Sequence, residues 1–67
     1  MTARRPILRV DGRGSEGDSA ALVIYKHEGI VEIVITEEKN GDASIELQLD
    51  EVQELARALL DDLRSDR

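Results

Sequence analysis

Fourteen residues, Asp50 to Leu63 (DEVQELARALLDDL), leave the least freedom in how this chain can fold. Val52, Leu55, Ala56, Leu59, Leu60 and Leu63 recur at i, i+3, i+4, i+7, i+8 and i+11, which is one stripe of an amphipathic α-helix. Asp50 is placed to cap the free N–H groups of the first turn, and Gln53 three residues on gives capping-box spacing. Glu51 and Glu54 add negative charge beside the positive end of the helix dipole. Glu54, Arg57, Asp61 and Arg64 lie on the opposite side, spaced for weak i,i+3 and i,i+4 pairs. Such a stripe is stable only against another apolar surface, so the segment before it has to provide one.

Three runs rich in Val, Ile and Leu, Ala20–Lys26, Ile30–Glu37 and Ala43–Leu49, are separated by turn signals and predict three antiparallel strands. In the third, Ala43, Ile45, Leu47 and Leu49 alternate with Ser44, Glu46 and Gln48. In the second, Val31, Ile33 and Ile35 share one side. A two-residue Asn40-Gly41 turn would pair Ile35 with Glu46 and mix the faces. A three-residue Lys39-Asn40-Gly41 loop, with Gly41 left-handed, pairs Ile35 with Ile45, Ile33 with Leu47 and Val31 with Leu49, and is preferred because the apolar side stays intact. For the preceding hairpin, a two-residue Glu28-Gly29 turn pairs Ile24 with Ile33 and Leu22 with Ile35. A His27-Glu28-Gly29 loop, which would turn Val23 and Tyr25 inward, remains the alternative. Leu49 runs straight into Asp50, so the helix is expected to fold back over the sheet, whose strands it matches in length at about 21 Å. The fold class expected is α+β: a three-stranded antiparallel β-meander with one C-terminal amphipathic helix packed on one face.

The amino-terminal part reads differently. Met1–Arg5 has no pattern, Pro6–Val10 (PILRV) suits a short extra edge strand, and Asp11–Ser19 (DGRGSEGDS) has three glycines and no apolar residue, as in a flexible linker. The chain therefore divides into a basic arm and linker (1–19), a β-β-β-α domain (20–64) and a tail (65–67). Charge divides with it: residues 1–13 carry a net +3 and residues 14–67 a net −9. No cysteine is present, so disulfides and thiolate metal sites are excluded. No run of apolar residues reaches signal-peptide or transmembrane length, and a cytoplasmic protein without a membrane partner is expected.

A sheet with one helix keeps a second face. In the preferred register it presents Val23, Tyr25, Ile30 and Val34 among Glu32, Thr36, Glu46 and Gln48. Contiguous aliphatic exposure is uncommon on a monomer, so these four residues are the expected interface, with a second copy (a homodimer) or with another protein. The alternatives are that PILRV folds back over them, that association runs through strand edges, or that the exposure is inconsequential. Nineteen Ile, Leu and Val with Tyr25 as the single aromatic make a thin core for 67 residues, which also points to a partner.

Catalytic and cofactor chemistry finds little support, and no catalytic, cofactor-binding, metal or small-molecule site is assigned. Gly12-Arg13-Gly14-Ser15-Glu16-Gly17 matches G-x-G-x-x-G, but a strand-like run follows where a dinucleotide fold needs a helix. Asp11, Glu16 and Asp18 suggest a calcium loop, yet Arg13 and Leu22 fall at ligand positions. His27 is the single histidine, and neither Glu37-Glu38 nor Asp61-Asp62 has the geometry of a carboxylate dyad. Arg4, Arg5, Arg9 and Arg13 would suit phosphate contact by a flexible arm, which leaves a DNA-associated regulator open. There is no aromatic platform or basic recognition helix. Glu32, Glu37, Glu38, Asp42, Glu46, Asp50, Glu51 and Glu54 would suit an acidic inhibitor or nucleic-acid mimic directed at a basic protein.

The run Leu47–Leu60 (LQLDEVQELARALL) resembles the strand-to-helix endings of small uncharacterised proteins of high-GC actinobacteria and their phages. That resemblance covers about a quarter of the chain and implies an origin, with a host-protein binder as a consequence if the origin is a phage. The function expected is a non-enzymatic protein–protein interaction module, self-associating, ahead of the acidic mimic and the arginine-arm regulator.

Overall fold

The computed structural model describes residues 4–65. Met1–Ala3 of the basic arm and Asp66–Arg67 of the tail lie outside the described residues. The chain forms an α+β fold: β1 (Arg5–Arg13), β2 (Ser19–His27), β3 (Ile30–Glu37) and β4 (Gly41–Gln48), followed by α1 (Leu49–Ser65). The strands make one open antiparallel sheet in the order β1-β2-β3-β4.

The central hairpin follows the sequence expectation. Leu22 pairs with Ile35 and Ile24 with Ile33, and the turn is Glu28-Gly29, both at positive φ (48° and 79°). Positive φ at both central residues is the turn whose twist matches two antiparallel strands, and glycine adopts it without a Cβ penalty.

The amino-terminal segment corrects the expectation of a short strand followed by a flexible linker. β1 runs nine residues, and Asp11, Gly12 and Arg13 pair with Ala21, Ala20 and Ser19. Gly14–Asp18 is an ordered turn: Gly14 N–H donates to Asp18 O at 2.8 Å, Gly17 N–H donates to Gly14 O at 3.0 Å, and Gly17 has φ 79°. Glycines that read as flexibility serve here as turn residues. Between Pro6 and Leu8 the register shifts, leaving Ile7 as an extra residue. The shift sets Leu8 and Val10 on the same face as Ile24 and Leu22.

The β3–β4 hairpin keeps the expected faces, but its register is shifted by two residues and its three-residue loop starts one residue earlier. Ile33 faces Ile45, Val31 faces Leu47 and Ile35 faces Ala43, around a Glu38-Lys39-Asn40 loop. Gly41 has the anticipated left-handed backbone, φ 81°, but sits in the strand opposite Glu37. The loop is held from the β1–β2 turn: Glu38 N–H donates to Ser19 O at 3.0 Å, and Lys39 N–H donates to Asp18 Oδ2 at 2.9 Å. These long-range ties outweigh local turn preference.

The helix starts one residue before Asp50. Glu51 Oε1 accepts the Gln48 N–H at 2.8 Å, so Glu51 performs the reach-back that spacing had suggested for Gln53. Glu51→Ala is expected to lower stability by about 1 kcal/mol in urea denaturation, whereas Gln53→Ala should leave it within about 0.5 kcal/mol. The larger departure is in packing. Helix α1 approaches β4 and β3, has no buried residue, and keeps Leu55, Leu59, Leu60 and Leu63 between 42% and 67% exposed. It does not seal the sheet face. Gln48 ends the strand and Leu49 begins the helix, so no loop residue exists to reverse the chain over its own sheet, where αβ connections ordinarily use two to six.

Candidate functional site

Pairing across four strands sorts the side chains into rows. On one face lie Val10–Leu22–Ile35–Ala43, then Leu8–Ile24–Ile33–Ile45, then Arg5–Lys26–Val31–Leu47. On the other lie Asp11–Ala21–Thr36–Asp42, Arg9–Val23–Val34–Ser44, Pro6–Tyr25–Glu32–Glu46 and His27–Ile30–Gln48. The first face is aliphatic apart from Arg5 and Lys26 at one end and Glu37 at the other. The second mixes aliphatic residues with acids.

The residues anticipated as the interface, Val23, Tyr25, Ile30 and Val34, do share that mixed face, and all four are half-buried. PILRV does not roof them; it adds a strand in the plane of the sheet. Arg4 supplies part of their cover instead. Its guanidinium lies 4.1 Å from the Tyr25 ring centroid and donates to Glu32 Oε1 at 2.5 Å. The hydrogen bond to Glu32, ahead of all other influences, holds the Arg4 pKa above its ordinary value. Because the Arg4 side chain remains half exposed to solvent, this pair adds little to stability.

The aliphatic face is the more open of the two. Leu8, Val10, Ile35 and Ile45 are each about half exposed, and with the helix leucines they make two apolar surfaces in one chain, neither of which covers the other. Val31, at 4% exposure, is the deepest aliphatic residue and lies in the row nearest the helix start. At the far end Val10, Leu22 and Ile35 border a shallow groove of about 200 Å³ floored by Gly12 and Ala20, whose small size creates the space. Spacing alone identified these leucines and isoleucines as core. Their role as unpartnered surface lies in the absent loop between Gln48 and Leu49, the one sequence signal from which it follows.

A polar cluster closes the same end of the sheet, away from the helix start. Asp18 is 8% exposed; its Oδ2 accepts from Lys39 N–H and its Oδ1 has no hydrogen-bond partner. Glu37 Oε2 accepts Ser15 N–H at 3.0 Å, and Glu37 Oε1 accepts from Asn40 Nδ2 at 3.4 Å. Both carboxylates crowd the backbone of Gly14. Thus two residues of the glycine-rich motif serve a turn clasp, and the segment after it is β2. Among the described residues no group of three or more His, Cys, Asp or Glu is arranged to hold a metal ion, and no helix is long and apolar enough to cross a membrane.

Of the arm, Arg9 pairs with Asp11 at 3.0 Å and Arg4 with Glu32, while Arg5 and Arg13 occupy exposed positions at the two ends of β1. The four arginines are spread along one edge strand and over both faces. Comparison with known proteins finds no family model, curated protein or solved structure that matches this chain. Function therefore has to be argued from the two uncovered surfaces.

Proposed function

We propose that the protein is a non-enzymatic interaction module that self-associates, at least as a homodimer. The observation that carries this reading is the simultaneous exposure of a leucine stripe on α1 and an aliphatic sheet face within one chain. Eight side chains, Leu8, Val10, Ile35, Ile45, Leu55, Leu59, Leu60 and Leu63, are 42% to 67% exposed. Finishing their burial is worth about 1 kcal/mol each, about 16 kcal/mol over two chains, against about 4–15 kcal/mol for lost freedom on association. Covering these surfaces therefore favours the assembled state.

Faces are better suited to association than edges. The β1 edge carries Pro6, a bulge and Arg5, Arg9 and Arg13, and the β4 edge carries Asp42 and Glu46. Two copies meeting edge to edge about a two-fold axis would oppose like charges. Light scattering after size exclusion at tens of micromolar should give a mass near twice 7.4 kDa. A single species of 7.4 kDa would overturn the proposal.

The mixed face favours a second reading, an acidic surface for a basic host protein. Glu32 stands directly opposite Glu46, with Asp42 further along β4 on the same side. Arg4 already pairs with Glu32, which leaves Glu46 and Asp42 as the carboxylates open to a cationic partner. Such a role suits a phage origin, one of the two origins, actinobacterial or phage, that the strand-to-helix resemblance implies. Capture of a basic nucleic-acid-binding protein that is lost in moderate salt would support it. A nucleic-acid role through the arm has less to draw on, since Glu32 and Asp11 already match the charge of Arg4 and Arg9.

A further inference from the structure

We infer that the occupant of the aliphatic face is helix α1 of a second copy, placed reciprocally, so that each helix lies across the other chain's Leu22–Ile24–Ile33–Ile35 face. This rests on the self-association proposed above and specifies how it is made. Four observations lead to it. The helix emerges from β4 without a single loop residue, and its leucine stripe stays exposed beyond the contacts near its start. The stripe and the face are both apolar, both open, and present once per chain, which is the condition for a closed two-fold exchange.

The third observation is area. The accessible surface is 5585 Å², whereas a compact folded chain of 7.4 kDa exposes about 4,200 Å². The excess, about 1,400 Å², comfortably exceeds the roughly 800 Å² that each partner buries in a standard interface. The radius of gyration agrees: 13.7 Å against about 11 Å for a compact chain of this length. The fourth is charge. Arg5 and Lys26 stand at the rim of the aliphatic face, and the helix flanks its stripe with Glu51, Glu54, Asp61 and Asp62 against Arg57 and Arg64. The small groove over Gly12 and Ala20 takes a side chain from the distal part of the incoming stripe, where Leu59 and Leu63 project.

The geometry identifies the missing loop as the cause of the exchange, and restoring it is the test. Six residues of Gly and Ser inserted between Gln48 and Leu49 let the helix turn back onto its own sheet. The inserted variant is expected to run at single-chain mass with undiminished helical circular dichroism, its self-association weakened at least 100-fold. If the parent pairs and the folded variant still pairs, reciprocal exchange is overturned while self-association stands. If the parent itself is a single chain, both are overturned.

Should the inserted variant fail to fold, cysteine pairing decides, since the natural chain has no cysteine. Ile33→Cys and Leu59→Cys chains, mixed and oxidised, are expected to give a mixed disulfide. Val34→Cys with Leu59→Cys, which probes the other face, should not. A bond to position 34 in place of position 33 refutes the placement.

Discussion

Leu59→Glu is expected to convert the two-chain species to single chains at concentrations where the parent is fully paired. Leu59 sits in the middle of the exposed stripe and is 56% exposed in the isolated chain. Self-association buries it twice, once per copy. Each exchange removes about 1 kcal/mol of remaining apolar burial and places a carboxylate against aliphatic side chains, a penalty of several kcal/mol per ion. Even about 2 kcal/mol per copy is about 4 kcal/mol in total, or roughly a thousandfold in Kd. Sedimentation equilibrium over a hundredfold concentration range measures it.

The same experiment discriminates between the two faces. Ile45→Glu, in the row Leu8–Ile24–Ile33–Ile45, should weaken pairing as Leu59→Glu does. Val34→Glu should leave the mass unaltered, because Val34 lies on the mixed face, outside the proposed contact. If Val34→Glu separates the copies and Ile45→Glu does not, the interface is the Val23, Tyr25, Ile30 and Val34 surface.

What could be read in the chain before its fold was known follows the range of the forces involved. The helix was legible because leucine spacing reports a local 3.6-residue period, and the Glu28-Gly29 turn because its register pairs Ile24 with Ile33 and leaves Lys26 at the rim. The register of β3 on β4 was legible only modulo two residues. Alternation fixes which side chains share a face, whereas the choice between pairing Ile33 with Ile45 or with Leu47 rests on ties from Asp18 and Ser19, some twenty residues away. β1 was concealed for a related reason: Asp11–Arg13 lack apolar side chains and take their strand conformation from backbone pairing with Ser19–Ala21. The direction of the helix was the costliest ambiguity. Periodicity specifies an apolar stripe and says nothing about which copy's surface it meets.

Gly14→Ala is expected to destabilise the fold by about 3 kcal/mol. A Cβ at Gly14 would press on Asp18 Oδ1 and lie 2.6 Å from Glu37 Oε2. Asp18 is short and buried, so it cannot yield without releasing Lys39 N–H, and Glu37 cannot yield without releasing Ser15 N–H. Hydrogen bonds to charged acceptors are worth about 1.5–3 kcal/mol each, and strain from an inserted methyl group is of similar size. Both bonds tie the β1–β2 turn to the β3–β4 end of the sheet, so losing them frees β1 and with it Leu8 and Val10 of the aliphatic face. For a domain of this size the change lowers Tm by on the order of 15 °C. Gly12→Ala is the internal control: nothing lies within 4 Å of a Cβ there, and its Tm should shift by only a few degrees. Equal melting of the parent and Gly14→Ala would mean that the turn is not clasped by these carboxylates. A lower Tm accompanied by weaker pairing would tie the clasp to the aliphatic face that it supports.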